Sequence, residues 1–287
     1  VSTPSLYARR PWLRHYDYWV RPHLTYPGRP LGDILSLTAV HRPDKKATHF
    51  LGAELTYLEL KQRADALAAS LAALGIVKGD RVGIMLPNCP QYIIAAFGIL
   101  KLGAVVVNIN PSYTPREFLV VANDAAPRIV ITLDALAPLV LGVRKDTTLE
   151  QVIVTSLAEY AAAAAAPPRI DGTLALADLT RTGVSAPVAA RIEPDDLAVL
   201  QYTGGTTGTP KGAMLTHANI FANVVQTVAW TNPAYVLGGE ERYLVVIPYF
   251  HIYAFSVCMM TGLWVGALQI IHPKYDPEQV LASIRDF

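Results

Sequence analysis

Between Thr203 and Ala213 the chain reads TGGTTGTPKGA, threonines and glycines crowded around one proline and one lysine. Glycine lets a backbone approach a ligand closely and turn its N–H groups onto an anion, while threonine hydroxyls add uncharged donors. Lys211 supplies the positive charge, and the set as a whole suits phosphate. It is not a Walker loop, G-x-x-x-x-G-K-[ST]. Lys211 follows Pro210 and precedes Gly212, so the glycine before the lysine and the magnesium-binding hydroxyl after it are both missing. A Thr/Gly hairpin loop without a ligand is the plainer alternative, but surface loops rarely need so many small and hydroxylated residues with a lysine behind them. His251, in IPYFHIYAF, is the second candidate for chemistry. It reads either as a core histidine bonded to a carbonyl or as a residue of the site.

The elements that must position these residues are legible from periodicity. Thr56 and Glu59 make a T-x-x-E capping box, Leu60, Ala64, Leu67, Leu71 and Leu74 follow at helical spacing, and Gly75 stops the helix. Strands are predicted over Arg81–Leu86, Ala104–Ile109 and Arg128–Leu133. A helix over Gln91–Leu102 separates the first two, and one that starts with the capping box Thr114-Pro115-Arg116-Glu117 separates the last two. Short β-branched strands without alternation, with helices between them, call for a parallel sheet covered on both faces. The stretch Ala158–Thr173 has helix-forming alanines but no amphipathic stripe, and reads as a surface excursion. Strands over Asp196–Thr203 and Gly212–His217 then flank the phosphate-type loop, which sets it apart from a Walker loop that opens into a helix. A helix carrying Ile220, Phe221, Val224, Val225 and Val228 comes next. It is followed by a strand (YLVVIP), a helix (HIYAFSVCMMTGLW), a strand (ALQIIHP) and a helix capped by Asp276 with Pro277 at N1.

Composition bounds the function. Hydrophobic residues make up 52% of 287 and charged ones 16%, enough for a large buried core. A formal net charge of +1 supplies no broad positive field, so no nucleic-acid partner is expected. Cys89 and Cys258 are far apart in apolar surroundings and fit a reducing cytoplasm better than a disulfide framework. The apolar run Val257–Ile271 is broken by Thr261, Gly262, Gly266 and Gln269, and is shorter than the roughly 20 residues a spanning helix needs. Near the start, Arg9, Arg10, Trp12, Arg14, Tyr16, Tyr18, Trp19 and Arg21 mix basic and aromatic side chains. Such an arm either packs across the domain or touches a membrane surface.

YTGGTTGTPKGAMLTH resembles the phosphate-loop signature of the adenylate-forming superfamily, which includes acyl-CoA synthetases, luciferases and the adenylation domains of peptide synthetases. IPYFHIYAF resembles that family's second core motif, an aromatic residue and histidine after a strand. LTYLELKQRADALAASL, the run from Gly79 to Phe118 and DDLAVLQYTGGTTG are most similar to bacterial long-chain fatty-acid CoA ligases. The likeness covers nearly the whole chain and is weakest over Thr148–Arg191.

The resemblance implies an α/β fold of stacked, mostly parallel sheets flanked by helices, incomplete at the C-terminus. The expected division is an arm and first helix (1–55), a first α/β subdomain (56–195), and the phosphate loop with a second subdomain (196–287). It also implies ATP with Mg2+ and coenzyme A, a fatty acid as substrate, a cytoplasmic protein peripheral to a membrane surface, and a homodimer. Thr203, Gly204, Gly205, Thr206, Thr207, Gly208, Thr209 and Lys211 would hold the β- and γ-phosphates, with Thr206 the hydroxyl nearest the metal. His251 would stand near the carboxylate and α-phosphate, Tyr249 beside it, and Phe255 at an aromatic gate on the acyl tunnel, although a buried aromatic is as readily plain core. Gly204 departs from the serine commonest across the superfamily and marks the fatty-acyl subgroup. The family's later motifs, an acidic metal ligand, a ribose-binding aspartate and a catalytic lysine, would fall after Phe287. The 287 residues alone are therefore expected not to complete adenylation. Activation of aryl or amino acids, and a noncatalytic nucleotide-binding module, are the competing readings.

Overall fold

The structure, a computed structural model, describes residues 5–182, 191–203, 210–231 and 240–287. Among these, the large sheet is ordered β7-β6-β5-β3-β4-β8-β9. It consists of β3 (Arg81–Met85), β4 (Val105–Asn108), β5 (Ile129–Leu133), β6 (Gln151–Thr155), β7 (Leu174–Ala175), β8 (Leu197–Thr203) and β9 (Lys211–Thr216). Every pairing is parallel except the last, where β8 and β9 run antiparallel as a hairpin. A smaller sheet, β10-β11-β1-β2, joins β1 (Lys46–Phe50) and β2 (Ala53–Thr56) to β10 (Arg242–Val245) and β11 (Leu268–Ile271). Both sheets therefore draw on strands far apart in sequence, and β8 and β9 belong with the large one.

The non-alternating strands are buried on both faces. On β4, Val106 packs into one core and Val107 into the other; on β5, Ile129 and Ile131 go one way and Val130 the other; on β6, Ile153 opposes Val152 and Val154. The first helices are α1 (Leu6–Arg9), α2 (Gly32–His41), α3 (Tyr57–Ala73) and α4 (Pro90–Lys101), followed by α5 (Pro115–Ala125), α6 (Ala137–Val143), α7 (Leu176–Leu179) and α8 (His217–Trp230). Helices α5 and α6 cover one face of the large sheet through Phe118, Val121, Ala137 and Val140. On the other face α4 packs on β3 and β4, α3 packs on α4, and α3 in turn meets β1 and β2. A helical layer thus lies between the two sheets. Gly98 makes it thin, because a Cβ there would stand 2.9 Å from Cδ2 of Leu67 on α3.

Local signals placed the helix starts correctly. The boxes at Thr56/Glu59 and Thr114/Glu117 are both reciprocal, and Asp276 accepts from the N–H groups of Glu278 and Gln279 at the start of the helix Pro277–Asp286. Three expectations need correction. The box formed by Thr216 and Asn219 turns the chain into α8 one residue early, so His217 begins that helix instead of ending β9. The helix predicted from His251 is wound as a π-helix over Ala254–Met260 before an α-helical turn, Thr261–Val265. Strands β1, β2, β6 and β7 were not anticipated; β1 and β2 are a hairpin whose corner is Leu51-Gly52, both at positive φ.

The N-terminal arm packs on α8. Trp19 donates its indole N–H to the carbonyl of Trp230 at 3.2 Å, the rings of Tyr16 and Trp230 meet edge to face, and Gln226 donates to the hydroxyl of Tyr26. Among the described residues no helix is long and apolar enough to cross a membrane.

Candidate active site

The phosphate-type loop hangs from the β8/β9 hairpin, in the strand-to-strand setting that separates it from a Walker loop. Thr203 pairs with Lys211 across the stem, Tyr202 with Gly212, and Gln201 with Ala213. Gly204, Gly205, Thr206, Thr207, Gly208 and Thr209 lie outside the described residues, so the structure gives the loop's two ends. Glycine at 212 has a local reason: a Cβ there would meet the Tyr202 ring at 3.0 Å. That ring lies over the glycine directly opposite it, and its hydroxyl donates to Asp124 of α5 at 2.5 Å. Burial, and then the neighbouring Asp124 carboxylate, push the Tyr202 phenol up, so it stays a donor. The stem is thereby tied to the helix behind the sheet.

His251 sits in the turn that leaves β10, and two amides hold that turn, one from the loop after β3 and one from β8. Asn88, ahead of α4, donates to the carbonyl of Ile247 at 3.1 Å and accepts the N–H of Tyr249 at 2.7 Å. Gln201 of β8 donates to the carbonyl of Phe250 at 3.0 Å. Behind Gln201, Asn108 donates to its Oε1 at 2.8 Å, and the Tyr92 hydroxyl donates to Asn108 at 2.5 Å. The imidazole of His251 is exposed, and its Nδ1 accepts the N–H of Tyr253 at 3.2 Å. A neutral ring held this way carries its proton on Nε2, which makes it a hydrogen-bond donor.

Tyr249 and Phe255, the expected neighbours of His251 in the site, are both buried. Tyr249 is wholly buried; its hydroxyl donates to Gln269 and its ring lies 5.4 Å from that of Tyr92. Burial pushes its phenol far above the usual range. With no exposed surface, it packs behind the histidine turn. Phe255 is likewise wholly buried, on the π-helix. It does not line the groove that runs past the turn. That groove, about 290 Å³, lies between α8 and the π-helix and is walled by Leu215, Ile220, Ile252, Tyr253 and Val257, with Asn219, Asn223 and Ser256. None of these side chains is charged. Cys89 is buried and its thiol is pushed up to about 12, chiefly by desolvation, which fits an inert core residue. Among the described residues there is no group of three His, Cys, Asp or Glu side chains arranged to hold a metal ion. Thr206, the expected metal contact, lies outside them.

Sequence reasoning passed over Asn88, Asn108 and Gln201. The signal was present in the strands AVVVNI and LAVLQYT, where one amide interrupts an otherwise apolar buried run. Such a group is tolerated only if it is bonded, so it marks a designed contact.

The AMP-binding enzyme family matches residues 35–287. A long-chain-fatty-acid–CoA ligase of Bacillus subtilis is 37% identical over 296 residues, covering 96% of this chain and 52% of its own length. A 4-coumarate–CoA ligase of Solanum tuberosum is 33% identical over 229 residues, covering 80% of this chain and 40% of its own. The crystal structure of a long-chain-fatty-acid-CoA ligase from Archaeoglobus fulgidus superposes with a TM-score of 0.79 at 25% identity, over 94% of this chain and 52% of that one. The chain spans about half the length of the curated relatives it matches. A small-residue loop on an antiparallel stem, a histidine turn clamped beside it, and a family match over nine-tenths of the sequence agree: the chain belongs to the AMP-binding enzyme family.

Proposed function

We propose that the protein activates a fatty acid with ATP and passes it to coenzyme A. The carboxylate oxygen attacks the α-phosphorus, the bond to the bridging oxygen breaks, and pyrophosphate leaves. The thiol of coenzyme A then attacks the acyl carbon and AMP departs. The observation that supports this reading is the hydrogen bond from Gln201 to the carbonyl of Phe250, which ties the β8/β9 stem to the turn that carries His251. Lys211 and the threonines from Thr203 to Thr209 would hold the β- and γ-phosphates while charge moves to pyrophosphate; each charge-assisted hydrogen bond contributes ~1.5–3 kcal/mol. The Nε2 proton of His251 would be donated to a carboxylate or α-phosphate oxygen. Mg2+ fits as an ion carried in on the triphosphate, since it binds through phosphates and few protein ligands, and it would supply charge neutralisation there.

The uncharged groove next to His251 supports an aliphatic or aryl acid over an amino acid, whose ammonium would require a carboxylate partner. The test is carboxylate-dependent ATP–pyrophosphate exchange by the full-length protein with palmitate, 4-coumarate and phenylalanine. Exchange with palmitate well above the other two supports the proposal. A preference for 4-coumarate or phenylalanine replaces the substrate, and no exchange with any acid removes the reading.

A further inference from the structure

Three buried amides join the large sheet to the histidine turn, and no step of the proposed chemistry uses them. Asn88, Asn108 and Gln201 are 2%, 3% and 8% exposed. Buried amides are costly unless bonded, and two of these are bonded in series: the Tyr92 hydroxyl to Asn108, Asn108 to Gln201, and Gln201 to the carbonyl of Phe250, the residue before His251. The far end of this relay is anchored on α4, which packs between α3 and the large sheet. Its near end sits on β8 only two residues before Thr203, where the phosphate-type loop begins.

Taking His251 as the group beside the reacting carboxylate, the reading on which this depends, we propose that Gln201 is a positioning residue. Its amide sets the place of His251 relative to the stem of the phosphate loop. Chain connectivity alone cannot do this, because the stem belongs to the large sheet and the turn leaves the small one. Gln201 bonds across that division, with its oxygen committed to Asn108 and its nitrogen to the turn. Asn88 grips the same turn one residue further back, through Ile247 and Tyr249, and this second grip keeps the turn folded when the first is lost.

The test is Gln201→Glu in the full-length protein. The substitution preserves shape and the acceptor for Asn108, but a carboxylate faces the Phe250 carbonyl where an N–H donor stood. At about pH 8 the kcat of ATP–pyrophosphate exchange should fall roughly tenfold to a hundredfold, as a displacement of about 1 Å at a reacting group does, with the KM for ATP little changed. Toward about pH 6 the introduced carboxyl, buried and beside a carbonyl, takes up a proton and donates again, so the deficit should narrow while the wild type shows no matching gain. In a His251→Ala background Gln201→Glu should cost little more, because the two act as one unit. Gln91→Glu is the control for a structural effect: Gln91 is as deeply buried and bonds Thr155 and Ser156, away from the turn, and its variant should retain kcat. Hydrogen exchange is a readout that does not need activity, and amides over 247–255 should exchange about tenfold faster in Gln201→Glu at about pH 8. Unchanged exchange there overturns the positioning role whether or not the protein adenylates anything. So does an equal loss of kcat in Gln91→Glu, or a full additive loss in the His251→Ala background. Wild-type protein without carboxylate-dependent exchange, but with the quickened turn in Gln201→Glu, would sink the proposed reaction and leave the positional role of Gln201 standing.

Discussion

Acid should loosen this fold at one histidine. His217, the first residue of α8, is wholly buried, and its Nδ1 accepts the N–H of Leu31 at 3.1 Å. Its Nε2 has no partner among the described residues. Protonation would charge a ring without solvent and evict the Leu31 amide. Burial therefore lowers its pKa from 6.5 to about 4, against the attraction of Asp196 and with some help from Lys78, which pairs with Asp196 at 2.5 Å. Because the folded value lies below the unfolded one, the folded chain binds fewer protons in the interval between them. The stability from this site is complete above about pH 6.5 and is lost as the pH falls toward about 4. Two and a half units correspond to roughly 3 kcal/mol in all, of which about 2 kcal/mol is lost between about pH 7.5 and about pH 5.

Other groups titrate in the same range, so the measurement is a difference. His217→Asn puts an amide oxygen near the place of Nδ1, keeps an acceptor for Leu31 and does not titrate. Urea unfolding followed by tryptophan fluorescence suits it, since Trp264 packs edge to face on Phe221 of the same helix at 5.3 Å. At neutral pH the variant should be somewhat less stable than the wild type, having lost ring packing. From about pH 7.5 to about pH 5 it should lose about 2 kcal/mol less than the wild type does. Parallel decline of the two proteins would show that the imidazole protonates freely in the fold and refute the reasoning.

Lys211→Ala should lower ATP–pyrophosphate exchange by roughly tenfold to a hundredfold, the equivalent of one charge-assisted contact, while circular dichroism stays unchanged; undiminished exchange removes Lys211 from the phosphate site. Asp65 accepts from both Lys101 and Lys61 between α3 and α4, where Lys101 is almost buried. Asp65→Ala strands that ammonium and should cost about 3–5 kcal/mol in denaturant unfolding, whereas a loss under about 1 kcal/mol would mean the ammonium finds water. Gly98→Ala drives a methyl against Leu67 and should cost about 1–3 kcal/mol by the same measurement; a neutral result would show that Leu67 turns aside freely.

How much of this was legible in the sequence differs between layers. Capping boxes at Thr56 and Thr114 and the β-branched runs around Val82, Val106 and Ile131 announced α3, α5 and the centre of the large sheet, because these signals are local and repeat within a few residues. Strands β1 and β2 were missed because KATHF and AELT are short and mixed in polarity: β1 is completed by pairing with β11, more than two hundred residues away, and β2 has only β1 to pair with. The π winding was invisible for a different reason: the apolar run reads the same for an α-helix, and the winding shows only in bonds such as the Thr261 hydroxyl donating to the carbonyl of Ser256, five residues back. At the site, residue types pointed to Lys211 and His251, but the burial of Tyr249 and Phe255 could not be read from a motif, which fixes spacing along the chain and not depth.

The thin helical layer has a consequence for how this protein tolerates change. The loop stem belongs to one sheet and the histidine turn leaves the other, so the α3 and α4 layer between the sheets bears on their alignment alongside the Gln201 bond, and Gly98 is a point of close approach within that layer. A methyl added there would act like a shim under one half of a vice: no residue at the jaws is altered, yet the jaws no longer meet. Misalignment of this kind would register in turnover as well as in the stability already at stake at Gly98.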